Sequence, residues 1–225
     1  MSRDHLGNFM VSSNLGFARG ILLLDDCEGT FTWIATGTGG DDIHAFATVA
    51  AFLGLNGMHL RTRVTNPAAD DVVSVAKYFG YPEGGLIVLR LRLSSPDWSK
   101  VKRIGVGLNL DDGIRVYDPY VVLHPVTHRV EYHDALGNEV QAVAFDCTLQ
   151  NNGWFTLELA ISALDKDYVA LAFNGTRVDL SAVALHDAGA SAGRCAWCWI
   201  DVLAQGANAA TAYFDNIYVG EFLDL

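Results

Sequence analysis

The stretch Gly85–Ser95, GLIVLRLRLSS, has the clearest alternation of apolar and polar side chains in the sequence. Successive side chains of a β-strand point to opposite faces of a sheet, so its three leucines after Val88 share one face. Arg90 and Arg92 then share the other face. The stretch therefore predicts a strand with one face in an apolar core. The other face is either solvated, paired with acidic residues of a neighbouring strand, or available to a carboxylate-bearing ligand.

The rest of the chain consists of similar short segments, rich in β-branched and aromatic residues and separated by Gly, Asp, Asn or Pro. This spacing of strands and turns is typical of an all-β sandwich or barrel. No segment has the period of a long helix. The predicted strands cover residues 31–35, 43–53, 58–65, 72–79, 86–93, 101–109, 129–133, 140–147, 154–161, 168–173, 177–185, 195–203 and 212–219.

The turns between these strands predict antiparallel hairpins. Asn174-Gly175 lies between two apolar segments and favours the positive φ values of a type I′ turn. Further turns are predicted around Gly137 and Gly113. No linker, repeat or low-complexity block divides the 225 residues. We therefore predict one β-sandwich domain, residues 21–225, preceded by an N-terminal arm, residues 1–20, of the kind that orders against a neighbouring subunit.

The charge of the chain excludes one class of partner. Fifteen basic and 26 acidic residues give a formal net charge of −11, which repels phosphate backbones, so nucleic acid is not expected to bind. The sequence shows no secretory signal, and GILLLDD is too short to cross a membrane. We expect cytoplasmic synthesis, followed by association with a virion, or an extracellular location if the chain is a trimmed mature form. No membrane insertion is expected.

Several segments suggest a known architecture when they are taken together. LLLDDCEGTFTW at 22–33 has an acidic pair, a Gly and a Trp after a first strand. GWFTLELAIS at 153–162 and the Asn-Gly hairpin are followed by CWIDVLA at 198–204 and TAYFDNIYVGEF at 211–222. These segments resemble jelly-roll carbohydrate-binding modules and the wider concanavalin A-like, or laminin G-like, sandwiches. The resemblance implies an all-β, antiparallel, two-sheet jelly-roll sandwich.

The resemblance also implies a metal ion. Sandwiches of this family commonly hold a structural calcium ion (Ca²⁺) between the first and last strands. The matching residues here are Asp26, Glu28 and Asp215, and calcium prefers such carboxylate oxygens together with backbone carbonyls. The alternative is that Asp25 and Asp26 only end a strand while Asp215 caps a turn.

Known catalytic patterns are absent from the sequence. A glycoside hydrolase needs two carboxylates about 5–10 Å apart, and the concanavalin A-like hydrolases carry Glu-x-Asp-x-x-Glu on one strand, which does not occur here. There is no Gly-x-Ser-x-Gly elbow, phosphate-binding loop or His-Glu-x-x-His element either. His124, His128 and His133 are the one conceivable zinc site, although loop histidines are more often solvated. We predict a protein that is not an enzyme.

The segment Arg194–Asp201, RCAWCWID, holds two of the four cysteines and two of the five tryptophans. A strand places Cys195 and Cys198 on opposite faces, so they cannot form a metal clamp or a redox pair. The same alternation places Trp197 and Trp199 on one face, opposite small apolar residues that suit a core. The two indoles are either buried core residues, a platform for sugar rings, or anchors of a protein interface.

Two classes of function remain, with a third behind them. The first is a structural subunit of a larger particle, such as a phage virion decoration or surface protein, with itself or other subunits as partners. The alternative is a carbohydrate-binding module that recognises glycans through an aromatic-lined sheet face. A glycoside hydrolase ranks third. The predicted ligand-binding residues are Trp197, Trp199, Arg90 and Arg92.

Overall fold

The computed structural model describes residues 18–37, 42–52, 54–83, 85–144 and 149–222. Within them, seventeen β-strands form two antiparallel sheets, named here sheet A and sheet B. The strands of sheet A are β1 (Ala18–Asp25), β3 (Ile43–Ala47), β4 (Gly57–Arg61), β6 (Leu86–Ser94), β12 (Phe155–Ser162), β13 (Asp167–Phe173), β14 (Thr176–Asp179) and β17 (Thr211–Phe222). The strands of sheet B are β2 (Ile34–Gly37), β5 (Val72–Phe79), β7 (Val101–Asp111), β8 (Arg115–Tyr117), β9 (Tyr120–His124), β10 (Arg129–His133), β11 (Glu139–Ala144), β15 (Asp187–Ala190) and β16 (Cys195–Ala204).

The winding of the chain identifies the architecture. Sheet A has the order β14-β13-β12-β6-β17-β4-β3, with β1 paired to β17, and sheet B has the order β11-β10-β9-β7-β16-β5-β2, with β8 beside β7 and β15. The chain changes sheet at each step from β4 to β7 and again from β16 to β17. This is the winding of a jelly roll, in which two packed sheets share one core. The predicted fold class is confirmed.

The core lies between the two sheets and is formed by the inward side chains of both. Leu89 and Leu91 of β6 belong to the same buried cluster as Val106 and Leu108 of β7 and Ile200 of β16. Each such side chain contributes roughly 1.5–3 kcal/mol when it leaves water. The alternation in GLIVLRLRLSS therefore predicted the correct faces, because its leucines are buried and its arginines lie on the outside of sheet A.

The predicted hairpins are also confirmed. Asn174 and Gly175 have φ values of +46° and +88° and join β13 to β14. Gly137 (φ +78°) lies in the turn between β10 and β11, and Gly113 (φ +92°) lies between β7 and β8.

Three predicted strands were too long. The strand predicted at 58–65 ends at Arg61. The strand predicted at 43–53 ends at Ala47 and a short 3₁₀ helix, Thr48–Ala50, follows it. Beyond that helix, the backbone N–H of Phe52 donates to the carboxylate of Asp215 instead of to a strand neighbour. The strand predicted at 177–185 ends at Asp179, because the Asp179 side chain accepts from the Ser181 N–H and closes a turn.

The start of the first strand changes the boundary of the predicted arm. β1 begins at Ala18, so residues 18–20 of the arm belong to a strand of sheet A. The rest of the arm, residues 1–17, lies outside the described residues. Nowhere in the described part of the chain is there a helix with the length and apolar character needed to cross a membrane.

Candidate functional site

The outer face of sheet B carries a group of neighbouring aromatic and ionisable side chains. It is defined by the residues that alternate with the core residues along each strand, and cross-strand register aligns them. Its members are Tyr78 of β5, Trp197, Trp199 and Asp201 of β16, Arg103, Gly105, Gly107 and Asn109 of β7, Tyr120 and His124 of β9, Glu131 and His133 of β10, and Glu139 of β11.

An aromatic stack lies over β7. The rings of Trp199 and Tyr120 are stacked, with centroids 4.6 Å apart and planes at 14°. Two glycines of β7 make room for them. A Cβ atom at Gly107 would lie 2.0 Å from Nε1 of Trp199, and one at Gly105 would lie 1.9 Å from the hydroxyl of Tyr120. Only glycine at both positions allows the two rings to cross this strand.

A second aromatic pair continues the stack toward β5. Trp197 and Tyr78 are cross-strand partners, with centroids 5.5 Å apart and planes at 31°. Tyr78 is 54% exposed and Trp197 is half-buried, so both rings reach solvent. The predicted placement of Trp197 and Trp199 on one face is confirmed, with Ala196, Cys198 and the rest of the opposite face in the core.

Asp201 is the buried charge beneath this face. Its Oδ2 accepts a 2.9 Å hydrogen bond from the Tyr120 hydroxyl, and its Oδ1 lies 3.8 Å from Nε of Arg103. Burial raises the pKa of Asp201 above its ordinary value, although Arg103 and the Tyr120 hydroxyl lower it. Burial, followed by the charge of Asp201, also raises the pKa of Tyr120 well above its usual range. The Tyr120 hydroxyl therefore stays protonated and donates.

Beyond Arg103, three ionisable groups approach one another across β9, β10 and β11. Nε2 of His124 lies 3.2 Å from Oε2 of Glu131 and 3.7 Å from Oε2 of Glu139. Both carboxylates also face arginines, since Nη1 of Arg103 is 3.5 Å from Glu139 and Nη1 of Arg129 is 4.0 Å from Glu131. The result is a network of alternating charges along one side of the aromatic stack.

A separate group forms at the other end of the stack. Asp118, between β8 and β9, lies with its Oδ2 4.0 Å from Nδ1 of His133, and His186 completes a set whose ligand atoms are all within 4.8 Å of one another. Burial raises the pKa of Asp118, against the lowering effect of His133 and of a hydrogen bond from Asn109. Burial lowers the pKa of His133 below its ordinary value.

The histidines considered together in the sequence are separated by the structure. His124 belongs to the group with Glu131 and Glu139, and His133 to the group with Asp118 and His186. His128 lies in the turn between β9 and β10 with a φ of +55° and joins neither group. A zinc site made of these three histidines is therefore wrong.

The cysteines of RCAWCWID are free, as predicted. Cys198 is fully buried in the core and Cys195 lies on the other face of β16. Burial raises the pKa of the Cys198 thiol far above its ordinary value, so this side chain behaves as an apolar core residue.

The predicted arginines lie on the opposite side of the sandwich from the tryptophans. Nε of Arg90 pairs with Oε1 of Glu158 on the neighbouring strand β12 at 3.2 Å, which is the acid pairing considered for it. The guanidinium of Arg92 lies 3.9 Å above the ring of Phe52. Because both belong to the outer face of sheet A, they do not form one site with Trp197 and Trp199. A role for them in ligand binding stays a separate prediction.

The carboxylates predicted to bind calcium are each engaged with backbone N–H groups. Oδ1 of Asp26 accepts from the Glu28 N–H at 3.3 Å, and Oε1 of Glu28 accepts from the N–H groups of Leu55 and Asn56. Buried Asp215 accepts from Phe52 at 2.8 Å. Among the described residues, the two compact groups of metal-ligating side chains do not include these three. Their convergence on one ion is not shown, and calcium binding stays a prediction.

Comparisons with known proteins identify the fold. No protein-family model matches the sequence, and a search of curated proteins finds no match. Among the similar solved structures are three with TM-scores above 0.5. They are an endo-β-1,4-glucuronan lyase from the fungus Trichoderma reesei (14% identity, 91% of this chain and 96% of that chain, TM-score 0.60), the alginate lyase vAL-1 from a Chlorella virus (13%, 91% and 100%, 0.54) and a structure of carbohydrate-binding modules of the β-sandwich superfamily (12%, 94% and 64%, 0.52).

These similarities confirm the resemblance to concanavalin A-like and carbohydrate-binding-module sandwiches at the level of the fold. The three structures include two lyases and a set of carbohydrate-binding modules. A shared fold at such low identity does not carry function from them to this chain. The residues of the outer face of sheet B are therefore the basis for any functional conclusion.

Proposed function

We propose that this chain binds glycans through the outer face of sheet B and does not cleave them. The observation that carries the proposal is the aromatic surface formed by Tyr78 and Trp197 and continued by Trp199, which stacks on the buried ring of Tyr120. Flat aromatic rings pack against the apolar faces of sugar rings, and a rigid surface loses little conformational entropy on binding. The two glycines of β7 support this rigidity, because they let the stack pack against backbone.

Polar groups beside the aromatic surface suit sugar hydroxyls. Glu131, Glu139 and His124 offer acceptors and donors along one edge of the stack, and Asn109 lies on the same face. Hydroxyl groups form hydrogen bonds with such side chains in either direction. The carboxylates of this face and the net charge of −11 disfavour a polyanion, so we propose a neutral glycan as the ligand.

The geometry of Tyr120 supports binding without cleavage. A tyrosine that abstracts a proton from a sugar must be able to lose its own proton near neutral pH. The Tyr120 hydroxyl instead donates to Asp201, and burial raises its pKa well above the usual range. The similar lyases leave catalysis as the competing hypothesis. Incubation with glucuronan or alginate tests it, since an unsaturated product detected by ultraviolet absorbance would contradict the proposal.

The test of binding compares the two outer faces of the sandwich. A glycan array followed by calorimetry on the best neutral oligosaccharide measures the affinity of the wild-type chain. Trp197→Ala should weaken binding about 10-fold or more, as expected for a central aromatic anchor. Arg90→Ala, on sheet A, is the matched control. It should leave the affinity within about 2-fold, because the aromatic residues that we propose to bind the glycan lie on sheet B. Equal losses in the two variants, or no glycan retained by the wild type, would overturn the proposal.

The role of a particle subunit is not tested by the fold and stays a prediction. Size-exclusion chromatography with light scattering addresses it directly. A stable homo-oligomer whose interface covers Trp197 would favour assembly over glycan binding on this face. A monomer whose sugar affinity depends on Trp197 would favour the binding module.

A further inference from the structure

Three side chains that can ligate a metal ion meet at the end of the aromatic stack, although they come from distant parts of the sequence. Asp118 lies between β8 and β9, His133 is the last residue of β10, and His186 directly precedes β15. Their ligand atoms lie within 4.8 Å of one another. We propose that Asp118, His133 and His186 bind a divalent transition-metal ion of the zinc class. This site is distinct from the predicted calcium residues and goes beyond glycan binding.

The three side chains are close enough for small side-chain adjustments to bring one ion between them. Zinc lies about 2.0–2.2 Å from imidazole nitrogen and carboxylate oxygen, so two ligands of a tetrahedral zinc ion are about 3.3–3.6 Å apart. Oδ2 of Asp118 and Nδ1 of His133 are 4.0 Å apart, about half an ångström more than this spacing. Two imidazoles and one carboxylate select zinc or a neighbouring transition metal over calcium, which prefers six to eight oxygen ligands.

Each of the two histidines has a buried Nδ1 atom without a hydrogen-bond partner. Nδ1 of His133 and Nδ1 of His186 are both buried from solvent, and neither forms a hydrogen bond. Burying an imidazole nitrogen unsatisfied is costly, whereas coordination to a metal ion satisfies it. The Oδ2 atom of Asp118 faces the same space, because Asn109 donates to its other oxygen, Oδ1, at 3.0 Å.

Neighbouring residues hold the three side chains in position. The N–H of Asp118 donates to the carbonyl of His186 at 2.9 Å, which fixes the two loops against each other. The ring of His186 packs over the β10–β11 turn, where a Cβ atom at Gly137 would lie 3.0 Å from Nε2 of His186. Such surrounding hydrogen bonds orient metal ligands and strengthen binding.

The second compact group, His124 with Glu131 and Glu139, is the poorer candidate. Its two carboxylates already face Arg103 and Arg129, whose positive charges repel a metal cation. The contacts described for Asp118 include no arginine or lysine. Three protein ligands would leave one of the four zinc coordination positions for a water molecule, as in other zinc centres with three protein ligands.

The test titrates zinc chloride into chelator-treated protein by isothermal titration calorimetry, without any sugar. We expect one zinc ion per chain, and a visible absorption spectrum of four-coordinate Co²⁺ when cobalt replaces it. His186→Gln and Asp118→Asn should each weaken zinc binding about 100-fold, because each removes a ligand. Asn109→Ala, which removes only the hydrogen bond to Asp118, should weaken it about 10-fold. His128→Ala is the control and should bind as the wild type does.

Circular dichroism and the melting temperature in chelator check that each variant is folded. If His186→Gln unfolds, the nearly isosteric Asp118→Asn variant still tests the site. Zinc binding that survives in Asp118→Asn and His186→Gln but is lost in Glu139→Gln would overturn the assignment in favour of the second group. Absence of zinc binding to the wild type would also overturn it. Because no glycan is present, either result leaves the proposed function standing.

Discussion

The two outer faces of the sandwich show how one strand pattern produces two different surfaces. On sheet A, Arg90 pairs with Glu158 and Arg92 covers Phe52. The remaining outward side chains there include a buried apolar cluster, Leu86, Val88, Ala160, Ala170, Tyr218 and Phe222. On sheet B, Tyr78, Trp197 and Trp199 remain partly accessible beside a network of ionisable groups, while Tyr120 is buried under Trp199. Alternation determines which residues face outward, and their neighbours across the strands determine whether they are available to a ligand.

The largest effect on the melting temperature is expected from calcium binding near β1 and β17 of sheet A. If Asp26, Glu28 and Asp215 bind calcium, saturation at 100 times the dissociation constant stabilises the fold by about 2.7 kcal/mol. For a domain of this size, that raises the melting temperature by about 5–10 °C. The measurement is the melting temperature with calcium and with chelator, using Asp215→Asn as the comparison. If chelator left the melting temperature unchanged, the prediction of calcium binding by these three residues would be wrong.

Glycine substitutions separate stability from binding on the two faces. Gly107→Ala places a Cβ atom 2.0 Å from the Trp199 indole and should cost about 1–3 kcal/mol of stability while weakening glycan binding about 10-fold. Gly220→Ala, on sheet A, places one 2.0 Å from the Tyr218 hydroxyl and should cost a similar amount without changing the affinity. Chemical denaturation and calorimetry measure both quantities. If Gly220→Ala weakened sugar binding as strongly as Gly107→Ala, the proposal that the glycan binds sheet B and not sheet A would be wrong.

A smaller, pH-dependent difference is expected from Asp201 on the sheet B face. Its pKa is raised by burial in the folded state, so its contribution to stability is fully present below the unfolded value of about 3.9 and is lost as the pH rises through the folded pKa. Asp201→Asn removes this titration. The melting temperature of the variant should therefore rise relative to that of the wild type between pH 4 and pH 7. A constant difference across this range would show that Asp201 is not destabilised by burial.

The smallest effect is expected from the ion pair on the outside of sheet A. Both partners are partly exposed, with 25% of the Arg90 side chain and 30% of the Glu158 side chain accessible. Such pairs contribute about 0–1 kcal/mol. Glu158→Gln should shift the free energy of unfolding by no more than this, and high salt should reduce the difference further. A loss of several kcal/mol would show that this ion pair contributes more to stability than its partial exposure predicts.

Local alternation explains what the sequence predicted well. β5 and β10 were predicted with their observed bounds, and Trp197 and Trp199 share the face that the alternation assigned to them. These features depend only on residues close together in the chain. The pairing of Arg90 with Glu158 was considered as a general pairing with acidic residues, but its partner was not identified.

Most of the candidate site depends on which strands become neighbours, and that was not predictable from local patterns. β9 was missed because it is short, follows Pro119 and has four apolar, buried residues in a row, Tyr120 to Leu123, so no alternation of apolar and polar residues marks it. Without β9 between β7 and β10, neither the stack of Tyr120 on Trp199 nor the group around His133 could be anticipated. His186 precedes a strand of only four residues, so its approach to Asp118 had no local signal.

The pairing of β1 with β17 has a practical consequence for how the molecule can be attached. Ala18 lies opposite Phe222, so the two ends of the described chain leave from neighbouring positions in sheet A. The aromatic surface is on the far side of the sandwich. A fusion partner or a sensor surface joined directly at Ala18 or Phe222 would therefore leave that surface directed away from the point of attachment. A sample attached at either of these two positions should retain its sugar affinity.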